Sequence, residues 1–71
     1  MNAQTAMDIG ARDARAWAAR THRATLSYAT METWAETRVP PDRVPDWFDG
    51  FLEALPQSRV QVIDDGLSLT P

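Results

Sequence analysis

The fold class read from the chain is mostly α, in the α+β sense: two or three helices and a C-terminal β-hairpin in one small domain. Three features predict it. Thr5 to Thr37 contains no proline and one glycine amid many alanines, which is helical composition. Asp46 to Leu55 sets an apolar face against an acidic one. Asp65-Gly66 stands as a turn pair between two segments of apolar and polar alternation.

Taken in order, residues 1–4 read as a loose tail. Over residues 5–37, Gly10, Ala14, Trp17, Thr21, Ala24, Tyr28, Met31 and Ala35 recur at steps of four and three, a helical stripe. Its small residues permit close approach of another helix. Leu26 falls off the stripe, and Ser27 suits a helix N-cap. A break near residues 22–26 is therefore expected, with helices of about 5–21 and 27–37.

Val39-Pro40-Pro41 ends this region, because proline has no N–H and disfavours helix in the residue before it. Asp42 to Pro45 reads as a linker or single turn, with Pro45 suited to a helix start. In the helix expected over 46–55, Trp47, Phe48, Phe51, Leu52 and Leu55 form the apolar face and Asp46, Asp49 and Glu53 the other. Pro56 stops it. A hairpin is expected over 59–70, with Asp65-Gly66 as a type I′ turn that sets Val62 opposite Leu69 and Asp64 opposite Leu67. Val60, Val62, Leu67 and Leu69 then share the face that packs on the helices. The core expected from these elements is Trp17, Met31, Trp34, Val44, Trp47, Phe48, Phe51, Leu52, Leu55, Val60, Val62 and Leu69.

A chain of 71 residues has room for one thin core. It has no cysteine for disulfides or a thiolate zinc site, so its three tryptophans and self-association, as a homodimer, are the expected sources of extra stability. No apolar run reaches the roughly 18 residues of a membrane helix, and Met1 to Gly10 lacks the pattern of a signal peptide. A cytoplasmic protein without membrane contact is expected. All seven basic residues are arginine, which with the many alanines fits GC-rich coding of a bacterial or phage kind.

Charge is uneven. Five arginines against four acids leave residues 1–38 at +1; two arginines against six acids leave residues 39–71 at −4. A net-acidic domain is a poor general phosphate binder. Catalysis finds no constellation: His22 is the one histidine, flanked by Arg20 and Arg23, with no carboxylate placed to orient it and Ser27 on another face. The glycines at 10, 50 and 66 make no phosphate loop. No enzyme, metal or cofactor is expected.

Residues 26–55 resemble the recognition half of Cro/repressor-type (XRE-like) helix-turn-helix domains. Ser27, Thr30, Met31 and Trp34 stand at the family's Ser-x-x-Thr-Val-x-x-Trp spacing, and Pro41, Val44, Trp47 and Phe48 follow at steps that fit its next helix. The resemblance implies a dimeric DNA-binding regulator, with residues 27–36 as the helix entering the major groove. Arg12, Arg15, Arg20 and Arg23 would then meet phosphates, and Ser27, Tyr28 and Glu32 would lie near bases. Thr25 and Thr37 stand where the family carries glycine. The side chains turned to DNA include no Arg, Lys, Gln or Asn for purine edges.

The reading placed first is therefore a small non-catalytic protein-binding module, an inhibitor or adaptor of phage or mobile-element type. Its candidate contacts are Asp42, Asp46, Asp49 and Glu53, facing a protein partner with a basic surface. The DNA-binding regulator is the alternative.

Overall fold

A computed structural model describes residues 1–20 and 22–71. Thr21, a member of the helical stripe and the expected end of the first helix, lies outside the described residues. The chain runs α1 (Ala3–Ala18), β1 (Ala24–Ser27), α2 (Tyr28–Arg38), a 3-10 turn (Pro41–Arg43), α3 (Val44–Glu53), β2 (Val60–Ile63) and β3 (Gly66–Leu69). Three helices and a three-stranded antiparallel sheet of order β1-β3-β2 form the domain.

Local chemistry accounts for the helix boundaries. The Asn2 side chain accepts the Thr5 backbone N–H at 2.8 Å, so α1 starts inside the stretch expected to be a tail. Ser27 caps α2 as its residue type suggested, its Oγ accepting the Thr30 N–H at 3.1 Å. Pro40 and Pro41 stop α2, and Pro45 sits in the first turn of α3.

The break after α1 holds a strand that the sequence did not announce. β1 is short and pairs with β3, placing Leu26 opposite Leu67. Leu26 misses the helical stripe because it answers to a sheet, and it is buried there.

The hairpin forms, but with a different register. Val62 lies opposite Leu67 and Ile63 opposite Gly66, so the two-residue turn is Asp64-Asp65 rather than Asp65-Gly66. None of the described residues has a positive φ, which a type I′ turn needs at both central positions. Gly66 serves packing instead: a Cβ there would overlap the Leu26 carbonyl of β1. The slip is two residues along β3, so alternation survives and Leu67 and Leu69 still face the helices.

α1 and α3 cross at glycines on both sides. A Cβ on Gly10 would overlap the Trp47 carbonyl, and one on Gly50 the Met7 carbonyl. Each glycine costs about 1 kcal/mol of helix propensity relative to alanine. The close approach it permits lets α3 lay its aromatics between α1 and α2. Trp47 and Phe51 are fully buried and stack at 4.8 Å, Trp34 meets both edge-on at 5.5 Å, and Trp17 joins Phe51 at 6.3 Å.

The rest of the core is Ala6, Ala14, Ala18, Met31, Ala35, Val39, Leu55, Leu67 and Leu69. Trp34, Val44, Phe48 and Val60 pack against it half-buried. Two expected core residues lie outside it: Leu52 is 41% exposed and Val62 is 71% exposed. Leu52 points away because α3 turns Trp47, Gly50 and Phe51 toward α1 and α2. Val62 lies on an edge strand, on the apolar side of the sheet but past the cover of the helices.

Candidate functional site

Two polar links hold the helices and sheet together, and neither was expected. Asp13 is only 6% exposed. Its Oδ2 accepts the Trp47 indole N–H at 2.9 Å and the Arg38 Nε–H at 3.1 Å, and its Oδ1 accepts from the other arm of the Arg38 guanidinium at 3.2 Å. One carboxylate thus ties α1 to α2 and α3. The signal that places it inward is its spacing: with Ala6, Gly10, Ala14 and Trp17 it falls on the buried side of α1.

Arg59 makes the second link. Its guanidinium donates to the carbonyls of Ala18 at 2.9 Å, Arg20 at 2.7 Å and Thr70 at 3.0 Å. These bonds satisfy carbonyls at the end of α1, where no intrahelical donor remains. They also fasten the start of β2 to the chain beyond β3. Arg59 is therefore occupied by backbone and has little capacity left for a ligand.

The four acids proposed for protein contact divide. Asp46 pairs with Arg43 at 3.2 Å. Asp42, Asp49 and Glu53 are exposed and have no ion pair among the described residues. Asp49 and Glu53 lie one turn apart on the exposed surface of α3, and Leu52 stands exposed beside Asp49. That face leads into a groove lined by Tyr28, Leu52, Leu55, Val60, Val62 and Leu67, with Gln57 at its margin. The groove joins the end of α3 to the free edge of the sheet.

The basic and polar residues proposed for DNA stand as follows. Arg12, Arg15, Arg20 and Arg23 are exposed and form no ion pair among the described residues. Arg15 borders a shallow groove between α1 and α3 with Asp8 and Glu53. Arg20 borders a separate one between β1 and α2, with Trp17 and Trp34. Ser27 is spent on its cap, its hydroxyl also donating to the Thr30 hydroxyl at 2.8 Å. Tyr28 belongs to the apolar groove, and Glu32 lies exposed near Glu36 and the Pro41 turn. Residues 19–27 between α1 and α2 contain β1.

His22 is exposed in the segment before β1. Among the described residues no three histidine or carboxylate side chains come together as metal ligands, and no helix is long and apolar enough to cross a membrane.

Comparison with family models, with curated proteins and with solved structures finds no match to this chain.

Proposed function

We propose that this domain is a non-catalytic protein-binding module whose contact surface is the outward face of α3 together with the apolar groove it borders. The observation that carries the reading is Leu52, which stands exposed on α3 one turn after Asp49 and opens onto that groove. A leucine in solvent beside a concave apolar surface is what a partner can desolvate. Free carboxylates nearby select a partner with basic residues and hasten the encounter. Asp42, at the start of the acidic half, adds to the same field. Asp46 contributes less, because Arg43 already neutralises it.

The alternative, a DNA-binding regulator, draws on the four arginines without ion pairs among the described residues. It is placed second because Arg15 and Arg20 border different grooves and the Ser27 hydroxyl is engaged by its helix cap.

The immobilised protein, exposed to bacterial lysate, is expected to retain a basic protein at near-equal stoichiometry. The Asp49→Arg/Glu53→Arg variant, altered only at exposed positions, is expected to release it. Equal retention by the variant would remove the reading. Duplex DNA at low salt is expected to leave the fluorescence anisotropy unchanged; a salt-sensitive rise in that signal would favour the regulator.

A further inference from the structure

β2 is an edge strand of the sheet. The Thr70 N–H donates to the Arg59 carbonyl at 2.8 Å, and this pair continues the register that sets Val60 opposite Leu69. Opposed residues in an antiparallel ladder alternate between bonded and non-bonded pairs. Gln61 with Ser68 and Ile63 with Gly66 are therefore the bonded pairs. Val60 and Val62 turn their N–H and C=O groups outward, away from β3. β2 ends the sheet on this side, and Val62 is 71% exposed.

The edge has no proline, no lysine and no inward-pointing charge, and among the described residues no further strand or helix pairs with it. Beside it runs the groove of Leu52, Leu55 and Tyr28, on the side of the sheet to which Val60 and Val62 point. A strand added at β2 would lay every second side chain into this groove.

Charge selects what that strand carries. Asp64 and Asp65 are exposed at the hairpin tip, and the Asp65 carbonyl accepts the Tyr28 N–H at 2.8 Å, which places the tip at the Tyr28 end of the groove. Asp49 lies one turn before Leu52 on α3. The base within β2's own approach, Arg59, already donates to three carbonyls. The hairpin tip at the end of the edge is acidic.

We infer that β2 accepts an extended segment of the partner protein as an added strand, with alternating apolar residues in the groove and arginine or lysine at its ends. This deepens the protein-binding reading and rests on it. The main-chain bonds supply attachment that does not depend on sequence, and the groove and the acids supply selectivity. A second copy of this chain is a poor occupant, because two-fold pairing of β2 edges brings two acidic surfaces together.

The test uses fluorescein-labelled eight-residue peptides in which valine alternates with threonine, ended by arginines or by glutamates. Fluorescence anisotropy is expected to show saturable binding of the arginine-ended peptide, at least about tenfold tighter than the glutamate-ended one. N-methylation of alternate residues, in the register that blocks the edge-facing amides, is expected to abolish it. Val62→Pro is the matching change in the protein. It removes an outward amide that β3 does not use, which edge strands tolerate. Its fold is checked by tryptophan fluorescence and thermal melting. Leu52→Arg, at an exposed position, provides a second variant that leaves the strand backbone intact and is expected to weaken the peptide at least tenfold.

Full binding by folded Val62→Pro, indifference to the terminal charge, or no saturation up to about 1 mM overturns strand addition. So does a dimer in light scattering that Val62→Pro dissolves, because the second copy is then the occupant. If a lysate partner is lost on Asp49→Arg/Glu53→Arg but kept by Val62→Pro, the protein-binding reading survives and the strand does not.

Discussion

Asp13 concentrates much of the domain's polar organisation in one side chain. Removing it leaves the Trp47 indole N–H buried without an acceptor and the Arg38 guanidinium without its partner. An orphaned buried donor costs about 1–3 kcal/mol. The ion pair itself adds less, because the Arg38 side chain is 44% exposed and water screens it. Asp13→Ala is therefore expected to lower the unfolding free energy in urea by about 2–3 kcal/mol. Asp13→Asn keeps an oxygen for the indole and is expected to lose about half as much. Equal losses in the two variants would show that the ion pair, and not the indole bond, carries the effect.

At this scale the sequence was legible where a residue acts on its own neighbours. Ser27 as a cap and Pro40-Pro41 as a stop needed nothing beyond local geometry. Asp13 and Arg59 were not legible in the same way. Their partners lie at Trp47 and Arg38, and at Ala18, Arg20 and Thr70. No short-range pattern encodes such pairings, although the inward spacing of Asp13 on α1 was there to be read.

Among the elements, α3 best separates amphipathic pattern from actual burial. Trp47, Phe48, Phe51, Leu52 and Leu55 form one apolar arc by sequence. The structure buries Trp47, Phe51 and Leu55, leaves Phe48 half-buried and leaves Leu52 in solvent. A helix with neighbours on only part of its circumference cannot cover the whole arc. Leu55→Ala is expected to cost about 2–5 kcal/mol, as a core truncation does. Leu52→Ala is expected to stay within about 0.5 kcal/mol, as a surface change does. Paired urea titrations decide between this and the wider core that the sequence pattern implied. A large loss at Leu52 would place it in the core after all.

The strands teach a related lesson. Alternation over residues 60–69 correctly predicted two strands and which side chains share a face. It did not settle the turn, because Asp64-Asp65 and Asp65-Gly66 both leave alternation intact. Contact between Gly66 and the Leu26 carbonyl chose between them, and that contact needs β1. β1 itself is a four-residue segment whose one strong apolar residue is Leu26. Its strand character comes from the vacant edge of β3 rather than from its own composition.

For the whole molecule, the distribution of charge matters more than its sum. Of the arginines of the first half, Arg38 enters a structural ion pair, and Arg15 and Arg20 border separate shallow grooves. The acids of the second half collect around α3 and the hairpin tip, next to an unpaired strand and an apolar groove. The domain's mass by light scattering is expected to stay unchanged when duplex DNA is added. Its affinity for arginine-ended peptides is expected to fall as salt rises from about 0.05 to 0.5 M, because exposed charges are screened over that range. Affinity unchanged by salt would mean that the acids take no part in recognition.

Composition and periodicity were enough to establish the helices, the hairpin, the proline boundaries and the inward aromatics of α3. Each depends on contacts within one or two turns of helix or along one strand. The acids and arginines proposed as contacts could be named in the same way, since charge is a property of the residue. Which charges remain available, where the third strand lies, and which apolar residues stay in solvent emerged only when distant segments met. Burial and pairing are set by what packs opposite a side chain, and the residue opposite is rarely a neighbour along the chain.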